Sequence, residues 1–165
     1  MTRLLALLAL AVLLAGCGSS HSPPDADVNP DLHDFATRYT AAWSSQDPAR
    51  VASFFAPRGS LTINDGAPSV GREAITESAR GFMVAFPDMV VAMDSLHVED
   101  GAIEYHWTLT GTNTGPGGTG HAVRFSGYEE WTVGDDSLIA RSLGHFDEAE
   151  YQRQLEHGTG EASRP

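Results

Sequence analysis

The chain has 165 residues, 41% of them hydrophobic, and sets 10 basic against 22 acidic side chains for a formal charge of −12. That length suits one domain with one core, and the acidity excludes recognition of nucleic acid, which needs clustered cations, or of anionic lipid by charge. The single cysteine excludes an internal disulfide.

The first segment, MTRLLALLALAVLLAGC, reads as an export leader, with Arg3 followed by an unbroken apolar run of 12 residues from Leu4 to Ala15. A helix that crosses a bilayer needs ~20 residues, so this run is not expected to be a permanent anchor. Its end, Leu14-Ala15-Gly16-Cys17, resembles the lipobox of bacterial lipoproteins. That resemblance implies lipidation of the Cys17 sulfur and cleavage before it, so that residues 1–16 are a signal peptide and acyl chains such as palmitate hold the remainder to a membrane. Each buried methylene contributes about 0.8 kcal/mol to such an anchor. Residues 17–29 are too polar and too rich in Pro and Ser to pack, and read as a flexible tether. The expected location is extracytoplasmic, on the cell membrane or the outer membrane.

Residues 30–157 form the expected domain, and 158–165 a disordered tail. Asn29-Pro30 is a helix start, after which Leu32, Phe35, Ala36, Tyr39, Ala42 and Trp43 fall on one apolar stripe. Asp47-Pro48 ends this helix and opens a short second one, with Val51, Phe54 and Phe55 inward. GSLTIND reads as a brief strand. GREAITESARGFMVAF reads as a helix with Ile75, Ala79, Phe82, Met83 and Phe86 on one side, stopped by Pro87.

From there the period falls from 3.6 to 2. DMVVAMDSLHV is a strand, Asp100-Gly101 a hairpin turn, and AIEYHWTLTGT alternates Ile103, Tyr105, Trp107 and Leu109 with Glu104, His106, Thr108 and Thr110. NTGPGGTGH is a loop. AVRFSGYEEWTV is a strand in which Gly127 suggests a bulge, GDDS a turn, LIARSLGHF a last strand, and a closing helix starts near Asp147. Helices first and long strands after predict an α+β fold, a one-sided sheet covered by helices and curved enough to leave a cavity.

This order, with Phe86-Pro87-Asp88, Thr110-Gly111-Thr112-Asn113-Thr114-Gly115 and the block from Ile139 to Asp147 running into Tyr151-Gln152-Arg153-Gln154-Leu155, resembles the NTF2-like superfamily and its SnoaL-like polyketide cyclases. The likeness runs from about Asp34 to Leu155. It implies an NTF2-like (cystatin-like) cone, in which N-terminal helices pack on a curved antiparallel sheet around a pocket. It implies proton transfer by a pocket aspartate during an intramolecular aldol closure, with no metal and no cofactor. Asn113 stands where these cyclases often have histidine. Dimers are common in the superfamily, so a homodimer is among the partners the resemblance implies.

Asp147 is the residue nearest the family's proton-transfer position, and a carboxylate desolvated in an apolar cavity would suit a proton shuttle. Asp147-Glu148-Ala149-Glu150 also has the spacing of a capping box, which explains Asp147 without chemistry. His145 shares strand parity with Asp147 and is its candidate partner. His106 points outward if the Tyr105/Trp107 stripe is the core face, and inward if the cavity needs a polar lining. The candidate pocket residues are Tyr39, Trp43, Phe55, Phe86, Trp107 and Glu130. Of Glu129 and Glu130 one faces inward, and an inward acid is expected to need Arg124, Arg141 or a histidine beside it. The histidines fall in no metal-ligand spacing, so no metal is expected.

Two functions of different kind follow. One is an envelope-anchored lipoprotein whose cone binds a small apolar ligand, or whose sheet pairs with a partner protein. The other is a cofactor-free cyclase, isomerase or hydrolase using an Asp–His acid–base pair in the pocket.

Overall fold

The computed structural model describes residues 30–160, and within them four helices and six strands follow one another. The expected signal peptide and tether, with Cys17, lie outside the described residues, as do residues 161–165 of the expected tail. Helix α1 spans Pro30–Trp43 and α2 Pro48–Ala52; strands β1 (Phe55–Ile63) and β2 (Ser69–Val70) lead into α3 (Arg72–Ala85). Then come β3 (Val90–Glu99), β4 (Ala102–Thr112), β5 (Ala122–Val133), β6 (Ile139–Phe146) and α4 (Glu148–His157). Local chemistry sets the boundaries. Asp47 Oδ1 accepts from the amides of Ala49 and Arg50 at 3.1 and 3.3 Å, with Pro48 opening α2. Asp100 and Gly101 both have positive φ, 50° and 83°, the backbone that a tight hairpin requires.

The strands form one sheet in the order β2-β1-β6-β5-β4-β3. Every neighbouring pair is antiparallel except β1 and β6, which run parallel. The expectation of an antiparallel sheet is corrected at that one seam, because the last strand enters between β1 and β5 rather than adding at an edge. β1 also starts earlier than expected, at Phe55, since Pro57 and Gly59 disguise a strand whose register shifts between Phe55 and Ser60.

Gly127 is not at a bulge. The register runs unbroken through Trp107↔Gly127↔Phe146, and the irregularities lie at Asp94 of β3, between Met93 and Ser95, and at Ala140 of β6, opposite Thr132 and Val133.

The elements that carried the family likeness meet in space. Asp88 accepts from the Thr112 amide and hydroxyl, both at 2.7 Å, and these bonds hold its carboxyl below the usual range. Asn113 donates to Ala85 O (3.2 Å) and accepts from the Thr119 amide (2.8 Å), and the Gly115 amide donates to Ala85 O (3.2 Å). Asn113 thus ties the Gly-rich loop to the end of α3. Near the same end of the sheet, where Arg124 pairs with Thr110, Gln154, buried on α4, bonds both the amide and the carbonyl of Arg124, at 2.6 and 2.8 Å, which clamps α4 on β5.

The core lies between the helices and the inner sheet face. Tyr39, Phe55, Phe86 and Tyr105 are fully buried. Tyr105 stacks on Trp131 with centroids 4.8 Å apart, and Tyr39 meets Trp131 edge-on at 5.2 Å.

Candidate functional site

The inner face of the sheet carries two cross-strand rows that differ from the rest of the core. One runs Met93–Trp107–Gly127–Phe146, the next Leu96–Tyr105–Glu129–Gly144–Ile63. The only side chains these rows give up are at the two glycines, and there a slot opens. It is lined by Trp43 of α1, Phe82 of α3 and the sheet residues Leu61, Ile63, Val91, Tyr105, Trp107, Leu109, Glu129, Gly144 and Phe146. The cavity is small, about 50 Å³, and its mouth is continuous with solvent. Its walls are almost wholly apolar.

The glycines act differently. A Cβ on Gly127 would lie 2.3 Å from His145 O and 2.6 Å from Trp107 Cζ2, so glycine lets the Trp107 indole lie across β5. A Cβ on Gly144 would meet Thr62 O at 3.5 Å and Glu129 Cγ at 3.7 Å, ordinary contacts. Gly127 makes room for a wall; Gly144 leaves room for the hollow.

Glu129 is the one ionisable carboxyl in the lining. Its Oε2 accepts from Ser142 Oγ (2.6 Å), Trp131 Nε1 (2.9 Å) and Tyr39 OH (3.0 Å), while its Oε1 has only a longer contact from Tyr39 OH (3.2 Å). Burial raises its pKa above the usual carboxylate range, against the pull of the hydrogen bonds from Ser142, Trp131 and Tyr39. Among the described residues no arginine or histidine attends it; neutral donors on α1, β5 and β6 do so instead.

Three other lining residues hold polar side-chain atoms, and of these the Tyr105 hydroxyl is paired with Thr40 Oγ1 at 2.7 Å. The indole N–H groups of Trp43 and Trp107 are shielded from solvent and make no hydrogen bond. Burial pushes the Tyr39 hydroxyl well above its usual pKa, and the Trp43 N–H, directed at that hydroxyl outside strict bonding geometry, opposes this only in part. A buried donor left unpaired costs about 1–3 kcal/mol, so two on one small slot call for an explanation.

The sequence-derived residues divide as follows. Trp43 and Trp107 line the slot, whereas Tyr39, Phe55 and Phe86 are packed behind it in the core. Glu130 is corrected: it faces the outer side of β5, half exposed, and the inward acid is Glu129. His145 and His106 also lie on the outer face. There His97, His106, Tyr128 and His145 form a row of rings, with successive centroids 5.0, 5.4 and 4.8 Å apart. His106 Nε2 pairs with Glu104 Oε2 at 3.1 Å, and His145 Nε2 lies 3.3 Å from Glu130 Oε1 without hydrogen-bond geometry.

Asp147 is the N-cap of α4, accepting from the Glu150 amide at 2.9 Å on the surface. The Asp–His pair in the pocket is therefore corrected: strand alternation puts His145 opposite the slot, and helix capping holds the Asp147 carboxylate. The reciprocal half of the capping box is absent, because Glu150 turns to Arg153 and Gln154 at 2.7 Å, and the Arg153 bonds draw its pKa down to about 2. Among the described residues no group of three or more His, Cys, Asp or Glu is arranged to hold a metal ion.

Replacing Asp147 with alanine is expected to lower stability by about 1 kcal/mol, and with asparagine by no more than about 0.3 kcal/mol, because asparagine still caps. Urea unfolding of the two variants checks this; equal losses would mean that the carboxylate does something other than cap.

Residues 33–155 match the sequence model of the SnoaL-like polyketide cyclase. No protein of curated function matches the chain significantly. Among solved structures, a protein of Jannaschia sp. CCS1 that bears the name SnoaL-like polyketide cyclase is similar with a TM-score of 0.70 at 18% identity, over 79% of this chain and 97% of that one. A protein of Catenulispora acidiphila with a ketosteroid isomerase-like fold, solved with trimethylamine, gives 0.66 at 16% identity over 78% and 94%. An NTF2-like protein of Burkholderia pseudomallei gives 0.66 at 18% over 77% and 98%. At such identities these structures speak for the fold alone.

Proposed function

The chain belongs to the SnoaL-like polyketide cyclase family, and from that premise we propose that it receives a small apolar molecule in the slot between α1, α3 and the inner sheet face. The slot itself supports this. Protein interiors fill to crystal-like density, yet here a hollow is walled by aromatic and aliphatic side chains with a single carboxyl among them, the usual make-up of a small-ligand site. The reading includes the address given by the first residues: cleavage before Cys17 and acyl chains on its sulfur, which hold the domain at the outside of a membrane. In the native host, Cys17→Ser is expected to move the protein from the membrane fraction to the soluble one.

Binding is tested by titrating the full-length protein with indane, followed by tryptophan fluorescence. Gly144→Val places a side chain in the hollow at a position where its first carbon meets only ordinary contacts. It is expected to weaken indane binding by about tenfold or more, equivalent to ~1.4 kcal/mol. Unchanged affinity would show that the molecule binds elsewhere.

A second reading, cofactor-free proton transfer on the bound molecule, is favoured by Glu129. Its buried carboxyl is shifted towards neutrality and its Oε1 is lightly engaged, which suits a general acid or base. The test is exchange of the α-protons of 1-indanone in deuterated water. The protein is expected to accelerate exchange and Glu129→Gln to abolish the acceleration; equal rates with both would remove this reading and leave binding intact.

A further inference from the structure

The outer face of the sheet, which the slot does not use, carries a cluster of ionisable groups of its own. Strand alternation sets two neighbouring rows there, Ser95–His106–Tyr128–His145 and His97–Glu104–Glu130–Leu143. Tyr128 lies between two imidazoles, stacked on His106 with centroids 5.4 Å apart and on His145 at 4.8 Å. Glu104 and Glu130 stand directly opposite each other on β4 and β5, a pairing of like charges that destabilises a sheet. Each has an imidazole beside it. His106 Nε2 bonds Glu104 at 3.1 Å, whereas His145 Nε2, shielded from solvent, lies 3.3 Å from Glu130 and makes no hydrogen bond. His97 bonds Ser95 Oγ at 2.8 Å and meets the His106 ring edge-on.

The other charged groups around these rows are engaged or stand apart. Asp94 accepts from Thr108 at 2.6 Å, and beyond β6 Asp147 caps α4 while Glu148 meets Asn64. Glu99, Arg124 and Arg141 lie in more distant rows.

We propose that this cluster is a proton gate on the pairing of two copies of the chain through their outer sheet faces. A homodimer is what the family likeness implies in general; the gate belongs to the side chains of this chain. A twofold axis along the boundary between the rows sets the imidazole row of one copy on the carboxylate row of the other, and the reverse, the self-complementarity that such a dimer requires. With neutral imidazoles, the two faces bring the carboxylates of Glu104 and Glu130 from both copies together with no cation among them, and repulsion and desolvation oppose contact. Histidine takes up its charge between about pH 8 and 5. Once it is charged, each carboxylate has a cation on its own chain and faces the imidazole row of the other. Pairing therefore takes up protons and strengthens in mild acid.

Sedimentation equilibrium of the full-length protein in detergent micelles tests this. The association constant is expected to rise about tenfold from about pH 7.5 to about pH 5.5. Dilution calorimetry in two buffers of different ionisation enthalpy is expected to show protons released as the pairs separate. His106→Gln and His145→Gln together are expected to remove most of the rise, and His157→Gln, an exposed residue of α4, to leave it whole. Association that is equally strong at both pH values, or weaker in acid, would overturn the gate, as would a rise that the double replacement leaves intact. Absence of pairing at either pH would overturn the interface as well. The calorimetric readout uses the unmodified protein, so it holds even if the double variant folds poorly.

Discussion

Glu129→Ala is expected to lower folding stability by about 4 kcal/mol in urea denaturation at neutral pH. The residue is the common acceptor for Tyr39, Trp131 and Ser142, and its removal leaves three buried donors without a partner, each costing about 1–3 kcal/mol before relaxation. Glu129→Gln keeps one acceptor oxygen and the volume, so its loss is expected to be smaller, about 1–2 kcal/mol.

The pH dependence has a definite sign. Burial raises the folded-state pKa of Glu129 above its ordinary value, so the folded protein holds this proton after the unfolded chain has released it. Its contribution is complete below the ordinary carboxylate range and is lost as pH rises through the raised value. The stability of the natural protein should therefore fall relative to Glu129→Gln over that rising window. A gap that stays constant with pH would mean that Glu129 titrates normally. Glu150 acts in the opposite direction: its folded pKa of about 2 makes its contribution disappear as the solution is acidified towards that value.

The second large effect is expected at Gly127. An alanine Cβ there would lie 2.3 Å from the His145 carbonyl oxygen and 2.6 Å from the Trp107 ring, and the backbone of β6 cannot move without breaking its pairing with β5. Overpacking of this kind costs about 3 kcal/mol, and it should shift the Trp107 fluorescence as the indole is displaced. Gly144→Ala, on the same face one row away, is the control: with contacts of 3.5 and 3.7 Å it should change stability by no more than about 0.5 kcal/mol. Equal losses would mean that the slot at Gly144 is already closed.

The two glycines also show how far the sequence reaches. The alternation Val123, Phe125, Gly127, Glu129, Trp131 places Glu129 with the core residues, and period 2 alone identifies it as the inward acid. The same parity puts Glu130 on the outer face; the cation expected beside the inward acid is replaced by Tyr39 and Ser142, distant in sequence, neutral donors that no local pattern reveals. The α+β order, the helix stripes and the hairpin at Asp100-Gly101 were legible because each is local.

Asp147 was ambiguous in sequence because a cap and a proton shuttle ask for the same side chain; only the bond to the Glu150 amide separates them. The Phe86-Pro87-Asp88 and Thr110–Gly115 elements identified the family correctly through architecture: Asp88 and Thr112 bond one another where α3 meets the sheet.

The parallel seam between β1 and β6 has a bearing on biogenesis. Ile63 is aligned with Gly144 and Leu61 with Ser142, pairings that span most of the domain and close late in folding. Because β6 is an interior strand, a chain emerging from the ribosome amino end first has an open gap in its sheet until Ile139–Phe146 arrives. Neither the floor of the slot nor the Ser142 bond to Glu129 exists before then. The sheet therefore stays open almost to the last residues of the chain, and closure of the sheet and formation of the slot become a single late event.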